Sequence, residues 1–201
     1  MPKRSMNSEK GRVILIHAAA HLEFNAINLA WDAVYRFRNM PKEYYDDWIS
    51  VGLDEARHFE MLSGYLKSKG SYYGEFPAHQ GLWEMAVKTD ADVLKRMALV
   101  PRVLEARGLD VTPAMLKKLS KVGDEEAVAH LTLILKEEIN HVRIGTRWYH
   151  YCCEQKSVDK VSTFINLIKE YMQGLPKGAL NIEARLKAGF EADELRYLEN
   201  L

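Results

Sequence analysis

Two short stretches of this chain place metal-ligating side chains at helical spacing. Asp54-Glu55-Ala56-Arg57-His58 and Glu137-Glu138-Ile139-Asn140-His141 each contain Glu-x-x-His. On a helix, residues three apart share one face, so each motif aims a carboxylate and an imidazole at one place. One copy is weak evidence, because Glu and His meet at that spacing by chance. Two further glutamates strengthen it. Glu23 falls inside the apolar stripe Val13, Ile16, Ala20, Ile27 and Val34, and Glu105 extends the stripe Leu94, Ala98 and Pro101. The step from Glu23 to Glu55 is 32 residues and that from Glu105 to Glu138 is 33, the mark of a duplicated helix pair.

A lone glutamate on an apolar stripe is ordinarily a salt-bridged surface residue. Six candidates in the right order at matched spacing argue otherwise. Glu23, Glu55, His58, Glu105, Glu138 and His141 form the ligand set of ferritin-like di-iron and di-manganese carboxylate bundles. Four buried carboxylates without cations face a desolvation cost on the order of several kcal/mol per ion. Two divalent cations would neutralise them and leave the imidazoles as neutral ligands. A carboxylate-rich set without thiolate suits iron, with manganese as the alternative, over structural zinc. Asp54 and Glu137 precede the two motif glutamates and are expected to accept hydrogen bonds that orient the imidazoles, with an exposed acidic residue as the even alternative. Arg57 is expected either to balance the charge of the site or to pair with Glu60. His17 and His21 stand four apart near Glu23, where packing is favoured over zinc chelation. His79, His130 and His150 lack partners at ligand spacing. Trp31, Trp48, Trp148, Tyr149 and Phe59 read as core.

The elements that must position these residues read as helices throughout. Residues 1–10 form an extended lead-in, and 11–201 form one helical domain. Apolar steps of three and four predict a first helix over 12–37, ended by Met40-Pro41. A second runs over 42–69. An aromatic loop with Gly70, Gly74 and Pro77 follows, then a short helix over 81–88. The third long helix spans 91–107, with Pro101 predicting a kink or late start and Gly108 a stop. Thr112-Pro113 starts a small helix to 121. Asp124 opens a fourth long helix to 153, and a fifth covers 158–173 before Gly174-Leu175-Pro176. A last helix begins at 191. No stretch alternates as a strand would. The fold class is all-α, a ferritin-like four-helix bundle with additional C-terminal helices.

Composition bounds the function. With 28 basic and 28 acidic residues the formal net charge is zero, which argues against a broad nucleic-acid face. No apolar run approaches the roughly 20 residues of a membrane span, and no signal-peptide pattern opens the chain. The two cysteines, Cys152 and Cys153, are adjacent and outside any CxxC motif, which favours a reduced, cytoplasmic setting and removes a thiolate zinc site.

The segments HAAAHLEFNAINLAWDAVYRF, DEARHFEML, EARGLDVTP, EEINHVRIGTRW and NIEARLKAGF resemble the ferritin-like family catalogued as domain of unknown function 455, over residues 11–190. The resemblance implies a helical bundle with a di-metal centre at the six residues above. It supplies no reaction. Its fold relative by analogy is a di-iron tRNA hydroxylase acting on a modified adenosine. Glu137 and Asn140 stand where the family usually has aspartate and glycine, a change that leaves the ligand pair intact. Members also commonly carry a longer N-terminal region, which is expected to be shortened here.

The reading favours an oxygen-activating oxidoreductase of hydroxylase type, holding two metal ions and acting on a small molecule or modified nucleoside, with a reductase as electron donor. The alternatives are a non-catalytic iron-binding or oxidative-stress protein, and a helical interaction module with a structural metal site. The aromatics Tyr72, Tyr73, Phe76 and Trp83 could wall a substrate pocket. Lys117, Lys118 and Lys121 are the one basic cluster that tRNA could use, and a solvated helix face explains them equally well.

Overall fold

Two long helices built on opposed apolar stripes begin the structure, a computed structural model that describes residues 5–172 and 178–200. α1 spans Glu9–Arg36 and α2 spans Lys42–Ser68. α1 begins earlier than the apolar pattern alone suggests, because the Ser8 hydroxyl accepts the Gly11 N–H and caps the first turn. Residues 1–4 of the expected lead-in lie outside the described residues. α1 and α2 pack against each other as a helical hairpin. By length and composition alone α1 is also long and apolar enough to cross a membrane, although about half of its most apolar stretch is buried inside the protein. The expectation that no run approaches a membrane span therefore needs correcting for this helix. Its apolarity reflects the side that packs on α2.

α3 spans Gly81–Lys88 and α4 spans Val93–Leu99. The buried Arg96 joins them, donating to Thr89 Oγ1 at 2.8 Å and to the Ala86 carbonyl at 2.6 Å. Pro101 then does more than kink the chain. Val100–Glu105 form a π-helical turn, in which the Ala106 N–H donates to the Pro101 carbonyl. α5 (Ala106–Lys121) continues directly from it, so Gly108 does not end the helix and Thr112-Pro113 does not start a new one. Pro113 cannot donate to the carbonyl of Leu109, four residues earlier. The Asn181 side-chain amide donates to that carbonyl at 3.1 Å instead, and the helix survives its proline.

α6 spans Glu125–Gln155 and α7 spans Lys160–Tyr171. The stop expected at Gly174-Leu175-Pro176 lies outside the described residues. α8 (Ile182–Lys187) has too short a repeat to show in the sequence pattern, and it is fixed by contacts distant in sequence. α9 (Ala192–Glu199) begins where expected, with the Glu191 N–H donating to the Glu194 carboxylate at 2.9 Å. Every described element is helical.

The chain divides into two compact units, Met1–Glu84 with Pro113–Ile134 and Met85–Thr112 with Leu135–Leu201. In the first, Val13, Ile16, Ala20, Leu62, Leu66, Leu119, Ala127 and Leu131 build one apolar core. Asp124 ties three helices around that core. It accepts from Arg12 Nε at 2.8 Å, from the Tyr65 hydroxyl at 2.7 Å and from the Ala127 N–H at 3.3 Å. In the second, Leu99, Leu109, Trp148, Tyr149, Phe164 and the free thiols Cys152 and Cys153 are buried. Trp31 departs from expectation. It lies over Gly52 with 45% of its surface exposed, so it is not a core residue.

Candidate metal centre

The hairpin of α1 and α2 brings three of the expected ligands together. Glu23 comes from the buried side of α1, and Glu55 and His58 come from one face of α2. His58 Nδ1 lies 3.2 Å from Glu23 Oε2 and 3.4 Å from Glu55 Oε2. Donor atoms of the three lie within 4.8 Å of one another, and all three side chains are buried. Glu23, Glu55 and His58 thus form a buried acidic and imidazole group that could hold a metal ion.

The electrostatics match that use. Glu23 is pushed from its ordinary 4.5 up to about 8, first by burial and then by the Glu55 carboxylate beside it, while the His58 hydrogen bond works the other way. Two carboxylates in one dry site cannot both ionise unless a positive charge joins them. A proton can fill that role, and so can a divalent cation. The donor set of two carboxylates and one imidazole, with no sulfur, suits a divalent cation.

The second motif repeats the local geometry of the first. On α6, His141 Nδ1 lies 3.2 Å from Glu138 Oε1, with His141 buried and Glu138 half-buried. Glu105 closes the π-helical turn and is partly buried. Glu105, Glu138 and His141 all belong to the second compact unit, and Glu23, Glu55 and His58 to the first.

Of the supporting residues, Arg57 donates to Asp54 at 2.8 Å in a partly exposed pair. Asp54 was not among the partners expected for Arg57. Glu137 is partly buried.

His17 and His21 have a role the sequence left unspecified. His17 Nε2 accepts the backbone N–H groups of Gly74 at 2.9 Å and Phe76 at 3.4 Å. His21 Nδ1 meets the Tyr73 hydroxyl at 2.9 Å, and its Nε2 meets the His79 carbonyl at 3.0 Å. Together they fasten the aromatic loop to α1, and Gly74, at φ +103°, allows the turn. Tyr73 stacks on His17 and packs against Phe24 and Phe59, the neighbours of Glu23 and His58. No signal in the sequence paired these histidines with backbone 50 or more residues away. Lys117, Lys118 and Lys121 lie exposed on α5, and His130 sits 3.9 Å from Glu126.

An all-helical chain with a buried cluster able to hold a metal ion is the class these observations define. The chain belongs to the family described as protein of unknown function DUF455, which matches residues 1–196. It is 45% identical to an uncharacterized protein of Haemophilus influenzae over 205 residues, covering 98% of this chain and 71% of that relative. No solved structure matches it.

Proposed function

We propose that this protein is a di-iron carboxylate oxidoreductase of hydroxylase type, with manganese as the alternative metal, built on a ferritin-like four-helix bundle. The observation that carries the reading is the buried meeting of Glu23, Glu55 and His58. In this reading Glu105, Glu138 and His141 supply the remaining ligands, which makes six in all. The matched 32- and 33-residue steps support two equivalent halves. Two reduced iron ions, when bound, supply electrons for activating O2. The chain's own part is to hold the ligands, exclude water and orient a substrate. Ile16, Ala20 and Leu62, each fully buried, keep the first ligand group dry. The loop that carries Tyr73 and Phe76 walls the approach for a small organic molecule or modified nucleoside, and a cytoplasmic reductase supplies the electrons.

Anaerobic Fe(II) loading followed by O2, read by metal analysis and Mössbauer spectroscopy, tests the proposal. The expected result is two iron ions per chain and an oxygen-dependent change from ferrous to ferric signals. Uptake of no more than trace iron or manganese would overturn the di-metal reading. Uptake that continues well past two per chain would replace the enzyme with an iron-storage protein. Glu138→Ala is expected to lose at least one ion. Retention of two tightly bound ions in that variant would remove Glu138 from the set.

A further inference from the structure

The C-terminal segment is tied to the π-helical turn by buried charges. Glu194 Oε2, on α9, accepts from Arg102 Nη2 at 2.7 Å, and neither side chain has any exposed surface. Arg102 Nε also donates to Thr146 Oγ1 on α6 at 3.2 Å. The Arg102 guanidinium sits 4.3 to 4.6 Å from the ring centres of Tyr149, Phe164 and Phe190. A second tie lies further along α5. Asp110 accepts from Arg185 Nε at 2.9 Å and Nη2 at 2.7 Å, and from the Asn181 N–H at 2.9 Å. Arg185 also reaches the Ala106 carbonyl at 3.4 Å. The anchored positions 102, 106, 109 and 110 bracket Glu105 on both sides in sequence.

Burying two ion pairs this completely is a poor route to stability, because desolvation offsets most of the attraction. Their fixed directions are what apolar packing cannot supply. A π-helical turn also needs such support, since its hydrogen bonds are weaker than those of an α-helix. Pro101 packs on Gly145 of α6, where an added Cβ would lie 2.5 Å from the proline ring. The turn is thereby held against the helix that carries Glu138 and His141.

We propose that Arg102, Asp110, Asn181, Arg185 and Glu194 are positioning residues for the second metal ion, clamping the π-helical turn so that Glu105 is held ready to serve as its ligand. This role rests on the di-metal reading above. Losing such support behind a ligand typically weakens metal binding 10- to 100-fold.

The test is an anaerobic Co(II) titration in which each equivalent is followed by visible absorption and by chelator competition, with melting temperature measured alongside. The double variant Arg102→Met with Glu194→Met replaces the ion pair with apolar side chains, a change buried pairs often tolerate. It is expected to bind the first equivalent as wild type does and the second about 10- to 100-fold more weakly. Val13→Ala, in the apolar core of the first unit, lowers stability away from the clamp and is expected to leave both affinities unchanged. Asp110→Asn weakens the second tie while keeping one acceptor oxygen, and it gives an independent answer if the double variant does not fold. Wild-type affinity for the second equivalent in the clamp variants overturns the clamp alone, as does an equal loss in Val13→Ala. A wild-type chain that takes up no second ion overturns the di-metal reading and the clamp with it.

Discussion

At the scale of single residues, Glu23 has the most measurable consequence. Its folded pKa is raised to about 8 from an ordinary 4.5, so the metal-free folded chain holds that proton more tightly than the unfolded chain does. The stability this gives is complete below about pH 4.5 and is lost as pH rises through about 8. His150 runs the other way. Burial, followed by the charge of Arg102, lowers it to about 4 from 6.5, so its contribution is present above pH 6.5 and lost as pH falls toward 4. Comparing wild type with Glu23→Gln isolates the first effect. In chelator-treated protein the variant is expected to gain about 5–10 °C in melting temperature on wild type between pH 5 and 8. A parallel pair of melting curves across that range would contradict the proton shared by Glu23 and Glu55. Glu23 and Glu55 were legible in the sequence because a charged side chain interrupts an apolar stripe. The pairing of Arg57 with Asp54 was not, because several acids lie within reach of that guanidinium.

At the scale of elements, the π-helical turn separates what the sequence revealed from what it hid. Pro101 announced a disturbance, but not its kind. The contact with Gly145 and the Arg102 anchor hold the wide turn, and both come from residues distant in sequence. The same holds for Gly108 and Pro113, which read as punctuation and lie inside a continuous helix because Asn181 satisfies the Leu109 carbonyl. Gly145→Ala tests the close approach. A methyl group 2.5 Å from the Pro101 ring must displace it, costing about 1–3 kcal/mol. The expected readouts are a melting temperature lower by several degrees and faster amide exchange across residues 100–106. An unchanged exchange pattern there would show that the turn does not depend on this contact.

At the scale of the whole molecule, the six proposed ligands divide between two compact units. The chain resolves into two compact units, one carrying Glu23, Glu55 and His58 and the other Glu105, Glu138 and His141. Helix content and most helix starts followed from apolar periodicity and caps. α8 did not, because six residues are too few for a periodic signal. If both ligand groups are metal sites, removing metal should loosen both units. Ions bound at 100 times their dissociation constant add about 2.7 kcal/mol per site. Stripping them is therefore expected to lower the melting temperature by at least about 5 °C, with recovery on adding Fe(II) anaerobically. An identical melting curve with and without chelator would argue that no ion is bound.

The two adjacent cysteines make the chain its own clock. Both thiols are sealed inside the second unit, and burial raises Cys152 to about 12 and holds Cys153 above its ordinary value as well. A thiol reagent can reach them only when that unit opens. Labelling kinetics of the unaltered protein therefore time those openings with no probe introduced. The same trace, run with metal and without, would show how long the unit stays shut in each state.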